Sequence, residues 1–213
     1  IMYSDAEETD KGAALASRAQ SSATGLDEDL RAGADCQAAY IKAEQGAQER
    51  QGSMVMFDRV VAQMRATPSD DGAVLANCLL YRSQVRRRAG DAQGGLDDAT
   101  AGLQALGPPR QGQRLLALYL RAAVADARGV LGQTARSIEE LDAVLLGFRQ
   151  LGRDHSLTYI TLLNNKGARL DGAGQIRQSG EVFSQGMELM RALGGDEPAL
   201  PTLETNFATS LML

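Results

Sequence analysis

The residue types of a catalytic triad occur side by side in one polar segment of the chain, at Asp154, His155 and Ser156. His155 is the single histidine of the sequence, and histidine is the usual general base beside a nucleophile. A working triad converges in space from separate places in a fold, which three neighbours in a loop do not do. We therefore predict a solvated loop or helix-start histidine, and a chain that is not an enzyme and needs no cofactor.

The two cysteines are the other residues with reactive side chains. Cys36 and Cys78 are 42 residues apart. A zinc site would need further ligands, and the sequence does not offer them near either cysteine. The sequence favours a pair of buried small hydrophobic residues over a disulfide or a metal site.

The negative net charge argues against a protein that binds the phosphate backbone of nucleic acid. The chain has 22 Lys and Arg against 27 Asp and Glu, a net charge of -5. Phosphate binding depends on clustered cations, and the one basic cluster is Arg86, Arg87 and Arg88. This cluster is either an anion-binding patch or a set of favourable partners for a helix dipole, and we favour the second interpretation. No run of 18 apolar residues is present, so no membrane-spanning segment is predicted.

An internal repeat of 42 residues determines which helices carry these residues. Gly90, Gly132 and Gly174 are successive members, each where one predicted helix turns into the next. The same offset gives columns of small residues and of apolar residues at helical spacing. The main columns are Ser53, Gly95, Ser137 and Ser179; Phe57, Ala99, Leu141 and Phe183; Cys36, Cys78, Leu120, Leu162 and, with one residue dropped, Leu203; and Ser83, Ala125, Gly167 and, with the same residue dropped, Ala208.

The repeat predicts pairs of helices and no strands. Residues 10–31 are expected to form a preceding helix or an incomplete unit. The first helices of the pairs are predicted near 34–47, 73–89, 112–130, 156–171 and 199–213, and the second helices near 51–66, 92–106, 134–151 and 176–193. Both ends of the chain look cut from a longer polypeptide.

The columns resemble the tetratricopeptide repeat (TPR), in the 42-residue variant typical of kinesin-light-chain-like proteins. The segment Leu162–Ala168 resembles the Leu-Asn-Asn-Leu-Ala core of that variant, and Ala192–Pro198 resembles the connection after its second helix. The resemblance covers about residues 34–213. It implies an all-α, right-handed superhelix of about four and a half repeats, truncated at the C-terminus, after an N-terminal segment at 1–33.

The resemblance also implies a concave groove, lined by the first helices, that receives a peptide. Asn165 and Asn206 match the asparagine with which similar repeats hold a peptide backbone, a role that suits an amide because it both donates and accepts hydrogen bonds. The residues placed in the groove are Asp35, Lys42, Asn77, Tyr81, Gln84, Tyr119, Asp126, Asn164, Asn165 and Asn206.

Three functional hypotheses follow from the repeat. The leading one is a module that binds a peptide or partner domain in the groove and does not bind nucleic acid directly. The alternatives are a sensory or regulatory domain of a larger signalling protein, and a scaffold that self-associates as a homo-oligomer through exposed terminal helices. We expect a soluble protein of undetermined compartment, with the cytoplasm ranked ahead of the periplasm or another extracytoplasmic location.

Overall fold

Eight α-helices and one short 3-10 turn make up residues 28–67 and 72–194, the part of the chain that the computed structural model describes. Within these ranges no strand occurs, so the predicted all-α class is confirmed. Connections of two or three residues join the helices of each successive pair, and such short loops are typical of antiparallel neighbours. The elements are α1 (Glu28–Glu44), α2 (Ala47–Ala66), α3 (Ala73–Arg88), α4 (Ala92–Leu106), the 3-10 turn (Gln111–Gln113), α5 (Arg114–Val130), α6 (Thr134–Gln150), α7 (Leu157–Gly172) and α8 (Ile176–Ala192).

The predicted helix bounds agree closely with the structure from α3 to α8. The largest difference is at α1, which begins at Glu28 rather than near residue 34. The boundary drawn between residues 33 and 34 therefore falls inside this helix. The predicted final helix near 199–213, and most of the predicted preceding helix near 10–31, lie outside the described residues.

The repeated glycines end the first helices as predicted. Gly90, Gly132 and Gly174 have φ angles of 88°, 76° and 74°, a left-handed conformation that costs glycine little. The amide after each glycine donates to the carbonyl five residues back, as Asp91 N does to Arg86 O at 2.9 Å. This bond satisfies a carbonyl at the end of the helix and turns the chain into the second helix of the pair.

The described helices fall into two compact units, residues 28–127 and residues 128–194. In the N-terminal unit, α1, α2 and α3 share a core that includes the buried side chains of Phe57, Val61 and Leu79. A second cluster joins α3, α4 and α5 through residues such as Leu80 and Leu120. In the C-terminal unit, the core between α7 and α8 includes Ile160, Phe183, Met187 and Met190.

Small residues lie where two helices of a pair approach most closely, as the columns predict. In the C-terminal unit, the hydroxyl of Ser179 donates to the carbonyl of Gly167 at 2.9 Å. A Cβ atom at Gly167 would meet the ring of Phe183 at 2.5 Å. In the N-terminal unit, a Cβ atom at Gly95 would lie 3.0 Å from the carbonyl oxygen of Ser83. Larger side chains at these positions would therefore push the paired helices apart.

Candidate functional site

Helix α3 presents two amides and a tyrosine on one face. Asn77, Tyr81 and Gln84 are separated by four and three residues, which places them in one row along the helix. All three side chains are half-buried. Among the described residues, the amides of Asn77 and Gln84 have no hydrogen-bond partner. They therefore keep donors and acceptors for a group from another molecule.

Tyr81 is half of an aromatic pair that joins α1 to α3. Its ring stacks on that of Tyr40, with 4.8 Å between the ring centroids and 21° between the planes. The guanidinium carbon of Arg88 lies 5.9 Å from the centroid of Tyr40, and Arg88 also forms an ion pair with Glu44. These contacts order the face formed by Tyr40, Asn77, Tyr81 and Gln84, which we call the tyrosine face.

The sequence analysis named Tyr81 as a groove residue but did not name Tyr40. The two tyrosines are 41 residues apart, so they fall in adjacent columns rather than in the same column. Equivalent positions of neighbouring first helices face each other only approximately. A search for aromatic residues one position out of register could have found the pair.

A buried ion cluster lies beneath the same stretch of α3. Arg82 donates to both carboxylate oxygens of Asp98, at 2.8 and 2.5 Å, and to Asp58 at 2.8 Å. The side chains of Arg82 and Asp98 are only 8% and 5% exposed, so each charge depends on the other for compensation. Arg86 Nε lies 3.2 Å from Asp98 Oδ2, without hydrogen-bond geometry.

The basic cluster of Arg86, Arg87 and Arg88 also takes part in ion pairs. Arg86 faces Asp91 and Asp98, and Arg88 faces Glu44. All three arginines lie in the last turn of α3, as the helix-dipole interpretation expects, and two of them are also engaged by acidic side chains. An anion-binding patch at this helix end has correspondingly little positive charge to offer.

The ion pairs recur at equivalent positions of the repeat, a pattern that the sequence analysis did not identify. Asp58 and Arg82 are 24 residues apart, and so are Asp142 and Lys166, which lie 2.5 Å apart in the C-terminal unit. Arg128 and Glu140 lie 3.5 Å apart, and their spacing of 12 equals that of Arg86 and Asp98. A search for opposite charges at these two fixed offsets could have found them.

The other predicted groove residues are distributed over both units. Lys42 is exposed and pairs with Glu49 at 3.1 Å. The remaining five that the structure describes are half-buried, and each already engages another group. They are Asp35, Tyr119 and Asp126 in the N-terminal unit, and Asn164 and Asn165 in the C-terminal unit. Asn206 lies outside the described residues. The structure therefore brings Asn77, Tyr81 and Gln84 together, and a single groove lined by the whole set stays a prediction.

The prediction for the cysteines was wrong. Cys36 on α1 and Cys78 on α3 form a disulfide, with their Cα atoms 5.3 Å apart. They occupy equivalent positions of neighbouring first helices, and α1 packs directly against α3. Two residues in one column of a stacked repeat face each other, so the spacing of 42 that marked them as core residues also marks them as partners.

The segment at 154–156 has no triad geometry. His155 is exposed, and its Nδ1 lies 3.3 Å from Asp154 Oδ1. The hydroxyl of Ser156 donates to the carbonyl of Arg153 at 2.8 Å and accepts from the backbone amide of Tyr159 at 3.3 Å. Ser156 is the N-cap of α7, and its oxygen is committed to that role.

A shallow open depression of about 620 Å³ lies along one face of α8, lined by residues of that helix such as Arg177, Glu181 and Glu188. A surface lined by one helix lacks the convergent walls of a small-molecule site. None of the described helices is both long enough and apolar enough to cross a bilayer.

Comparison with known proteins gives structural likeness alone. No family model matches the sequence, and no curated protein matches it. The crystal structure of BtubC (BKLC) from P. vanneervenii is similar, with a TM-score of 0.76, 15% identity, and coverage of 97% of this chain and 84% of that one.

Two structures of a kinesin light chain from Podospora anserina with nearly identical TPR-like repeats are also similar. Their TM-scores are 0.74 and 0.73, at 13% identity, with 88% of each chain covered. Proteins of this architecture generally act in protein–protein interaction. Together with the helix pairs described above, these likenesses show that the chain has the TPR-like helical-repeat fold.

Proposed function

We propose that this chain binds an extended segment of a partner protein along its first helices, with the tyrosine face as the centre of the contact in the N-terminal unit. The observation that carries the proposal is the pair of amides, Asn77 and Gln84, that lack partners among the described residues on either side of the stacked Tyr81. By contrast, Arg82 on the same helix is engaged by Asp98 and Asp58.

The spacing of the amides suits an extended peptide. Seven residues along α3 separate Asn77 from Gln84, a rise of about 10 Å. An extended chain covers the same distance in about three residues. Each amide can donate to a backbone carbonyl and accept from a backbone amide, while the tyrosine rings between them offer apolar surface to the intervening side chain.

The charges near the tyrosine face favour an uncharged peptide segment. Three cations of α3, Arg82, Arg86 and Arg88, are engaged by Asp98, Asp91 and Glu44, and of the arginines near Gln84 only Arg87 has no ion pair among the described residues. A ligand carboxylate or phosphate would have to compete with these acids for the same guanidinium groups. We therefore expect the residues that contact Tyr40 and Tyr81 to be apolar or proline.

The test is a selection of peptides from a random phage-displayed library on the immobilised chain, followed by titration of the selected peptide. We expect the Asn77→Ala/Gln84→Ala double variant to bind about 10- to 30-fold more weakly, since each lost hydrogen bond is worth about 1 kcal/mol. Gln104→Ala, which changes an exposed amide on α4, is the matched control and should bind as the wild type does. A wild-type chain that selects no consensus, or a double variant of unchanged affinity, would contradict the proposal.

Asn165 and Asn206 remain part of the proposal on the resemblance to TPR proteins. Asn165 lies on α7 and already engages a neighbouring group, so a ligand would have to displace that interaction. We expect Asn165→Ala/Asn206→Ala to weaken peptide binding less than the double variant of the tyrosine face. A larger loss would move the centre of the contact to the C-terminal part of the chain.

A further inference from the structure

The disulfide ties the first described helix to the rest of its unit. Helix α1 packs against α2 and α3, and the sulfur atoms of Cys36 and Cys78 join it covalently to α3. Both cysteines are buried, at 1% and 0% exposure. Polar side-chain contacts of α1 lie closer to the surface, such as the hydrogen bond from Gln63 to Glu28 at 2.8 Å.

The tyrosine pair is built on the same two helices, about one turn from the disulfide. Tyr40 follows Cys36 by four residues and Tyr81 follows Cys78 by three, so each ring neighbours a cysteine on its helix. The covalent bond holds the helix axes at a fixed separation near the rings, which stack at 4.8 Å. Without that bond, the position of α1 on α3 depends on packing and on surface contacts.

We propose that the Cys36–Cys78 disulfide is an oxidation-dependent latch that holds α1 on α3 and assembles the Tyr40–Tyr81 pair, and that the domain works in an oxidising compartment. Disulfides persist in such compartments and are rare where glutathione and thioredoxin keep thiols reduced. This proposal replaces the cytoplasm as the preferred location. That the Tyr40–Tyr81 pair contributes to peptide binding rests on the function proposed above.

The latch closes by thiol–disulfide exchange. The two thiols of the chain give up two protons and two electrons, and the disulfide of an oxidoreductase accepts them and becomes two thiols. Because the sulfur atoms are buried, a reductant reaches them only when α1 opens. We therefore expect the latch to close during folding and to stay closed in the native protein.

The first test is the oxidation state of the full-length protein in its source cells. Cells are quenched in acid, and the denatured protein is treated with a maleimide before or after reduction. We expect both cysteines to be labelled only after reduction. Labelling of Cys36 and Cys78 without reduction would overturn the proposal.

The second test compares the oxidised protein with wild-type protein refolded in a phosphine reductant, two samples that differ by the sulfur–sulfur bond alone. We expect amide hydrogens of α1 to exchange at least tenfold faster in the reduced sample, with α7 and α8 unchanged, and the near-ultraviolet circular dichroism of tyrosine to weaken. The Cys36→Ala/Cys78→Ala variant should behave as the reduced sample does. Equal exchange of α1 in the oxidised and reduced samples would show that there is no latch, whether or not the chain binds peptides.

Discussion

At the scale of single residues, the contact between Gly167 and Phe183 limits what the C-terminal unit tolerates. A methyl group at Gly167 would lie 2.5 Å from the ring, which itself is buried in the core. We expect Gly167→Ala to lower the free energy of unfolding by about 1–3 kcal/mol, as overpacking does. Unfolding in urea, followed by circular dichroism, measures the loss.

Gly172 provides the matched control on the same helix. It lies in the last turn of α7, and an added Cβ atom would have no heavy atom within 4 Å. Gly172→Ala should be neutral or stabilising by up to about 1 kcal/mol, because alanine is the better helix former. Equal effects of the two substitutions would mean that helix propensity, rather than close packing, explains the column of small residues.

The buried pair of Arg82 and Asp98 gives a second prediction at this scale. Asp98→Ala leaves the buried guanidinium of Arg82 with the exposed Asp58 as its remaining acidic partner among the described residues, and we expect a loss of about 3 kcal/mol. The double variant Arg82→Met/Asp98→Leu removes both charges and should regain at least half of that loss. Lys42→Ala, which removes an exposed ion pair, should cost less than about 1 kcal/mol. Urea midpoints that rank Lys42→Ala as the most harmful would refute this assignment.

These residues show what the sequence can and cannot predict. The column that contains Gly167 predicts a close approach of two helices, and the structure confirms it. The partnership of Arg82 with Asp98 could not be predicted in the same way, since a column shows which positions are equivalent and not which positions touch. The disulfide was missed for a different reason: Cys36 and Cys78 share a column and could have been recognised as partners, but the column was interpreted only as a set of core positions.

At the scale of helices and turns, the left-handed glycines should be sensitive to substitution. Gly132 ends α5 with a φ angle of 76°, and an added Cβ atom would meet nothing within 4 Å. Gly132→Ala should therefore cost about 1–2 kcal/mol through backbone conformation alone. Gly112→Ala, in the 3-10 turn, has similar free space without a positive φ angle and should change stability little. Thermal unfolding distinguishes the two, and equal midpoints would contradict this role of the glycine.

The repeat predicted most helix bounds because each turn carries its own glycine or cap. Gly90, Gly132 and Gly174 mark the ends of α3, α5 and α7 within a residue or two. The start of α1 was predicted six residues late, because the columns begin at Cys36 and extend no further toward the N-terminus. Glu28 and Asp29 place acidic charge in the first turn, where it favours a helix N-terminus, but two acidic residues alone were too weak a signal.

At the scale of the whole molecule, the disulfide predicts a redox-dependent stability. The link spans 42 residues, and a loop of that length lowers the entropy of the unfolded chain by an amount worth about 4 kcal/mol. We expect reduction to lower the urea midpoint of the full chain accordingly. The Cys36→Ala/Cys78→Ala variant should not respond to reductant, and a response in that variant would show that the shift has another cause.

The candidate site was predictable only in part at this scale. Asn77, Tyr81 and Gln84 were assigned to the groove from the resemblance to TPR proteins, and the structure places them in one row. The sequence could not show that Asn77 and Gln84 lack partners within the described part of the chain while Asn164 and Asn165 are engaged, because that depends on side chains brought in from elsewhere in the fold.

The recurrence of the ion pairs bears on how such a chain can grow or shrink. Asp58 faces Arg82 and Asp142 faces Lys166, and each acid precedes its base by the same 24 residues. Deletion of two complete blocks of 42 residues between Asp58 and Lys166 would leave an aspartate opposite a lysine at the new junction. Loss of these two blocks together therefore keeps opposite charges matched, whereas loss of one block would place Asp58 opposite Val124.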